Sequence, residues 1–185
     1  MEDKEIKLHI GCGKKNFGDD WIHIDGSKYD HIKYHNITKL YFPDDSVDLI
    51  YACHVLEYFD REEVIIVLKE WRRVLKIGGV LRLAVPDFEM MSKLYSDNII
   101  TLDNIIGPIF GKWKMTDKET IFHKTVYDFK SLEKILKISE FSNIKLWDWR
   151  TTEHSQFDDY SQAYIPHMDK ENGTLISLNV ECKKM

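Results

Sequence analysis

The chain is poor in the features that would place it in a secreted, membrane or nucleic-acid-gripping class. Its three cysteines, Cys12, Cys53 and Cys182, are odd in number and far apart. That excludes a disulfide scaffold and reads as reduced thiols in a cytoplasmic protein. No apolar run approaches the roughly 20 residues needed to cross a bilayer, and the charged start of the chain does not read as a secretory leader. Basic residues are outnumbered, 26 Lys and Arg against 31 Asp and Glu, and the net charge of −5 leaves no basic face for nucleic acid. Eight histidines are present without an H-E-x-x-H or C-x-x-C spacing, so no metal centre is expected. No repeat, low-complexity tract or linker divides the 185 residues, which read as one domain over 1–185.

What is present is a set of short apolar runs separated by turns and amphipathic stretches. Residues 6–10, 21–25, 33–37, 47–53, 80–85, 143–149 and 174–182 read as seven strands. Val64, Val67, Leu68, Trp71, Val74 and Leu75 recur at helical spacing after Asp60, with Glu63 completing a capping-box pattern. Gly78-Gly79 is expected to stop that helix with a left-handed cap. Residues 87–97 and 129–139 read as further helices. Gly107-Pro108 and Gly111 interrupt residues 98–122, and residues 150–172 read as a long polar and aromatic loop. Alternation of strands and helices predicts an α/β fold: a Rossmann-like, doubly wound, mostly parallel sheet with helices on both faces. Only seven residues separate Gly13 from Trp21, fewer than the dozen or so a parallel crossover needs. The first crossover is therefore a shortened one.

Gly11-Cys12-Gly13 ends the first strand and Asp25-Gly26 ends the second. Parallel sheets bind nucleotides at the carboxyl ends of neighbouring strands, and a bare glycine turn beside a carboxylate suits an adenosine-containing ligand. The carboxylate can accept both hydroxyls of a ribose. The dinucleotide fingerprint fails, because Asn16 stands at its third glycine.

Four blocks in order carry a family resemblance: Ile10-Gly11-Cys12-Gly13; Ile24-Asp25-Gly26; Asn36-Ile37 with Phe42-Pro43 and Asp48; and Cys53-His54-Val55-Leu56-Glu57 followed by the capped helix and Arg73-Val74-Leu75. In these the chain resembles the class I S-adenosylmethionine (SAM)-dependent methyltransferases, in a compact subgroup with a shortened first crossover. The resemblance implies SAM as cofactor and S-adenosylhomocysteine as product. It implies that Gly11, Cys12 and Gly13 pass against the methionine and ribose, and that Asp25 and Gly26 meet the ribose. It further implies that Asn36 and Ile37 meet the adenine, and that the backbone at Cys53 and His54 lines the methionine end. An amide at position 36 could accept from the adenine amino group and donate to a ring nitrogen.

Methyl transfer to an alcohol usually wants a general base. His54 is the first candidate, since imidazole titrates in the useful range; the alternative is that it caps a turn or packs on the cofactor. Glu57, three residues on, reads as orienting it. Asp87 follows the fifth strand and is either a base or a helix N-cap. His123, with Lys124 and Tyr127, resembles a stretch that related proteins place over the active site. His154, Tyr160 and His167 are weaker candidates of the same kind. Trp147 and Trp149 are expected to alternate on one strand. Cys12 reads as small, not reactive. The expected acceptor is a small molecule, first a hydroxyl of a sugar or other metabolite, with no nucleic-acid or membrane partner and a monomer or homodimer as the assembly. The competing class is a binding or regulatory subunit that keeps the fold without catalysis.

Overall fold

The computed structural model describes residues 4–114 and 119–185. Residues 1–3, at the charged start, and residues 115–118, within the interrupted stretch 98–122, lie outside the described residues.

Seven strands form one sheet: β1 (Lys7–Ile10), β2 (Trp21–Ile24), β3 (Ile32–Tyr34), β4 (Val47–Cys53), β5 (Leu75–Pro86), β6 (Phe141–Leu146) and β7 (Ser177–Lys184). Their order is β3-β2-β1-β4-β5-β7-β6. The pairs from β3 to β5 are parallel, while β7 runs antiparallel to both β5 and β6. The order reverses direction at β1 and β4, which is the switch point where open sheets leave a crevice.

One face of the sheet carries Leu8, Ile10, Ile24, Ile50, Ala52, Leu81, Leu83 and Val180. It packs under α1 (Glu63–Val74) and α4 (Phe129–Ile138) through Val64, Val67, Leu68 and Trp71 and through Leu132, Ile135 and Leu136. Asp60 caps α1 as expected: its Oδ1 accepts the Glu63 N–H at 2.8 Å and Glu63 Oε2 accepts the Asp60 N–H at 3.1 Å. The end of α1 differs from expectation. The chain turns extended at Leu75 and enters β5 directly, and Gly78, with φ +82°, serves a register shift in β5 instead of a helix cap.

The other face departs from a simple two-sided helical cover. The shortened crossover supplies no helix, and that face is closed by rings. His9, Phe17, Trp21, Tyr51, Trp147, His154 and Phe157 pack together, with Phe17 stacked on Phe157 at 4.5 Å and Tyr51 against His154 at 4.2 Å. Two of these rings come from the crossover loop or β2, and three from residues 147–157, so the polar loop supplies the missing cover. The Trp pair is also corrected. The β6 strand ends at Leu146. Trp147 turns into the ring cluster and donates to the Leu83 carbonyl at 2.9 Å, while Trp149 lies in a 3-10 turn and donates to the Tyr164 hydroxyl at 3.3 Å.

Helices α2 (Phe88–Ser96) and α3 (Leu102–Phe110) build a second small core around Met91, Leu94, Ile105 and Ile176. A two-strand ribbon pairs Trp113–Lys114 with Thr120–Ile121.

Candidate active site

The glycine turn and the acidic strand end lie side by side. Gly11 and Gly13 have φ of +68° and +51°, a region that side chains with a Cβ rarely adopt. Gly11 donates its N–H to the Ile24 carbonyl at 2.7 Å, which ties the turn to the end of β2. A Cβ on Gly11 would lie 2.2 Å from Val55 Cγ2, so the turn sits directly on the segment after β4. Gly13 donates its N–H to Asp25 Oδ2 at 2.8 Å. Asp25 Oδ1 accepts both the N–H (2.7 Å) and the hydroxyl of Ser27. A carboxylate has about four acceptor positions. Three are filled within the chain, and one on Oδ2 remains for a ribose hydroxyl, where a free carboxylate would serve both. Gly26 beside it is exposed.

Asn36 differs from expectation on one side. Its Oδ1 accepts from the Thr38 N–H and hydroxyl, both at 2.9 Å, and from the Lys39 N–H at 3.0 Å. The acceptor is used up in a local turn, and the exposed amide N–H groups remain as donors only. Ile37 is half-buried against the main core, and its carbonyl accepts the Trp71 indole N–H at 2.7 Å. The imidazole of His35, unremarked in the sequence, lies 3.2 Å from the Asp25 carbonyl. Cys12 is buried, and burial with the neighbouring Asp25 pushes its thiol up to about 12, in keeping with a small packing residue and not a nucleophile. Cys53 is likewise raised by burial.

Beyond β4 the chain makes a tight turn with His54 at φ +54°, a strained conformation for a residue with a side chain. This turn brings three titratable groups together. His54 Nδ1 is 3.5 Å from Glu57 Oε1, and His123 Nε2 is 3.7 Å from the same oxygen. Glu57 is 1% exposed, and neither of its oxygens has a hydrogen-bond partner. The Nε2 atom of His54 is also buried without a partner. Such orphaned polar atoms are uncommon in structural positions and mark a site under chemical demand. Burial pushes Glu57 up to about 8, and burial with His123 nearby pulls His54 down to about 3. His123 is lowered by burial. At neutral pH the carboxyl holds a proton and both imidazoles are neutral.

The segment around His123 is built into this site. Lys124 donates its N–H to the Glu57 carbonyl at 2.7 Å, and His123 Nδ1 lies 3.0 Å from the Pro108 carbonyl. Tyr58 meets the His123 ring edge-on at 4.7 Å, and Tyr160 lies 5.2 Å from the His54 ring. Tyr127, in contrast, is 1% exposed and part of the core, so the stretch is not a surface lid as a whole. Asp87 takes the structural alternative: its Oδ1 accepts the Met90 N–H at 3.1 Å and starts α2. His154 packs in the ring cluster on the sheet face.

Residues 14–83 match the methyltransferase domain family. The fold of the chain is that of the class I SAM-dependent methyltransferases. It is similar in fold to a SAM-dependent methyltransferase from Archaeoglobus fulgidus (15% identity, 97% of this chain and 86% of the other, TM-score 0.58). It is similar also to a SAM-dependent methyltransferase from Methanosarcina mazei (20% identity, 99% and 94%, TM-score 0.57). A third likeness is the Burkholderia thailandensis 1,6-didemethyltoxoflavin-N1-methyltransferase, solved with bound 1,6-didemethyltoxoflavin and S-adenosylhomocysteine (9% identity, 97% and 71%, TM-score 0.54). No curated protein matches the chain.

The residues present fit SAM: a turn without side chains, a carboxylate with one open acceptor, and amide donors at Asn36. Among the described residues no group of three or more His, Cys, Asp or Glu could hold a metal ion, and no helix is long and apolar enough to cross a membrane. The sequence named His54 and His123 separately. Glu57 was read as orienting His54; what the sequence missed is that His123 meets the same carboxyl.

Proposed function

We propose that this single-domain methyltransferase methylates a hydroxyl of a small molecule, such as a sugar or another polyol metabolite. The observation that carries this reading is the buried His54–Glu57–His123 cluster with its unpartnered His54 Nε2. Gly11, Cys12 and Gly13 bind the methionine and ribose side of SAM, Asp25 and Gly26 the ribose, and Asn36 and Ile37 the adenine side. Cys53 and His54 line the methionine end.

SAM, when bound, supplies a methyl group on a sulfonium. Such a displacement has no use for covalent help from the protein, which contributes alignment, exclusion of water and removal of a proton. An amine acceptor at neutral pH can lose its proton after the transfer. A hydroxyl is a weak nucleophile and gains from losing it during the transfer. In the cluster, Nδ1–H of His54 faces Glu57 Oε1, which leaves the lone pair on Nε2; this tautomer is assigned from the neighbours. Nε2 takes the acceptor's proton as the new O–C bond forms and the S–C bond breaks. Glu57, protonated at neutral pH, positions the ring from 3.5 Å, and His123 flanks Glu57 on the other side at 3.7 Å. Catalytic contacts often tighten from such 3.5 Å separations when a ligand binds. Asp87, already committed to α2, is not assigned a step.

The test is release of S-adenosylhomocysteine from SAM over a panel of sugars, nucleotide sugars, phenols, amines and thiols. Turnover of hydroxyl compounds, reduced roughly 100-fold or more by His54→Ala, is the expected result. Turnover confined to amines or thiols, or hydroxyl turnover indifferent to His54, refutes the base assignment.

A further inference from the structure

The outer face of Gly13 is already taken. An ideal Cβ on Gly13 would lie 3.4 Å from Trp113 Cζ2 and 3.5 Å from Cη2, which is ordinary van der Waals contact. The six-membered edge of Trp113 therefore rests on the glycine turn with no layer between them. The opposite side of the turn is closed too, since Gly11 abuts Val55. A cofactor seated against Gly13 from that side meets the Trp113 ring.

Trp113 reaches this place from a small ribbon. Its backbone pairs with Ile121, and the neighbouring Gly111 ends α3 with φ +47°. Gly111 is packed against His123, where an ideal Cβ would meet the ring nitrogen at 2.2 Å, and His123 donates its N–H to the Phe110 carbonyl at 2.8 Å. The ribbon that carries Trp113 is thus rooted on a histidine of the chemical cluster. Trp113 itself is only partly buried, and among the described residues it is in none of the three hydrophobic clusters, so the ring is not locked into the core.

We propose that Trp113 is a built-in competitor of SAM: it occupies the face of Gly13 that the cofactor needs and must swing away before the cofactor can seat. The inference rests on the reading of the Gly11–Gly13 turn and Asp25 as the cofactor site. A binding-competent state that is only partly populated weakens apparent affinity by that fraction. Removing the competitor then strengthens binding, the reverse of what loss of an ordinary contact residue does. Because the ribbon is rooted on His123, displacement of the ring also reaches the base cluster, and cofactor binding is coupled to the placement of His123.

The test is calorimetric titration of the full chain with S-adenosylhomocysteine, in wild type, Trp113→Ala and Asp25→Ala, each shown to be folded by circular dichroism. Wild-type tryptophan emission is followed in the same titration, with Trp113→Phe as its control. The expected result is binding about fivefold tighter in Trp113→Ala, equal to about 1 kcal/mol, and an emission change that Trp113→Phe abolishes. Unchanged or weaker binding by Trp113→Ala overturns the inference while loss of binding in Asp25→Ala keeps the cofactor site. Wild-type-like binding by Asp25→Ala overturns the site reading and the inference with it.

Discussion

The contact between Gly11 and Val55 allows a test that separates packing from cofactor binding. Alanine at position 11 must adopt φ near +68°, where a Cβ costs roughly 1–2 kcal/mol. Its methyl would also lie 2.2 Å from Val55 Cγ2. Val55 is 5% exposed in the main core and has little room to retreat. Overpacking of this kind adds roughly 1–3 kcal/mol. Gly11→Ala should thus destabilise by about 2–5 kcal/mol, and Val55→Ala alone by roughly 1–3 kcal/mol through its cavity. In the double variant the alanine methyl enters the space left by valine. The clash disappears and the cavity is partly filled, so the combined loss falls about 1–3 kcal/mol short of the sum. Urea unfolding followed by far-ultraviolet circular dichroism measures this as a shift in midpoint at constant slope. Additive losses, within about 0.5 kcal/mol, would refute the contact. Titration of the double variant with S-adenosylhomocysteine then asks a separate question. Recovered stability without recovered binding means that the cofactor, too, requires a bare backbone at Gly11.

Acid should unfold the protein earlier than its carboxylates alone predict. Burial lowers His23 and His154 from 6.5 to about 4, so the unfolded chain binds more protons, and stability falls as pH drops through 6.5 toward 4. Each should lose about 1 kcal/mol between pH 7 and 5.5, and His154→Phe should flatten that slope in urea titrations. Glu57 acts in the opposite direction. Its raised folded value means that stability is fully present below the unfolded value of 4.5 and is lost as pH rises through about 8. Glu57→Gln should therefore gain on wild type by a few kcal/mol between pH 5 and 8, while losing activity; an unchanged difference across that range would deny the buried carboxyl. Arg73 donates to the Leu40 and Phe42 carbonyls at 3.0 Å each and to Glu70 and Asp44 at 2.8 and 2.6 Å. Lysine cannot reproduce that fork, so Arg73→Lys should lower stability by about 1–2 kcal/mol, seen as a lower thermal midpoint.

The strands from β1 to β5 were legible in the sequence because each pairs a run of apolar residues with a turn signal that nothing distant contradicts. The Asp60 cap and the apolar stripe of α1 are local in the same sense. Residues 98–122 were not legible. Gly107 and Pro108 read as breakers, yet α3 holds both, started by Asn104 Oδ1 accepting the Thr101 N–H at 2.8 Å and held by the packing of Ile105. Trp147 likewise left its strand because the ring cluster offered it burial and a carbonyl on β5. Gly11, Gly13, Asp25 and His54 were read at strand ends, and they lie there. Glu57 gained its meaning only when His123, 66 positions later in the numbering, came to stand against it. The Asn36 acceptor failed because a turn two residues away competed for it.

The ring cover of the second sheet face fixes an order of assembly. Phe17 and Trp21 belong to the first strands, but the rings that bury them, Trp147, His154 and Phe157, lie more than 120 residues further on. Contacts of such long span form late and slowly. During synthesis the glycine turn emerges well before these rings and waits, with its apolar flank open to water, until residues 147–157 have left the ribosome. The shortened crossover saves a helix and leaves the nascent β1–β2 segment in need of shelter, from a chaperone or from rapid emergence of residues 147–157.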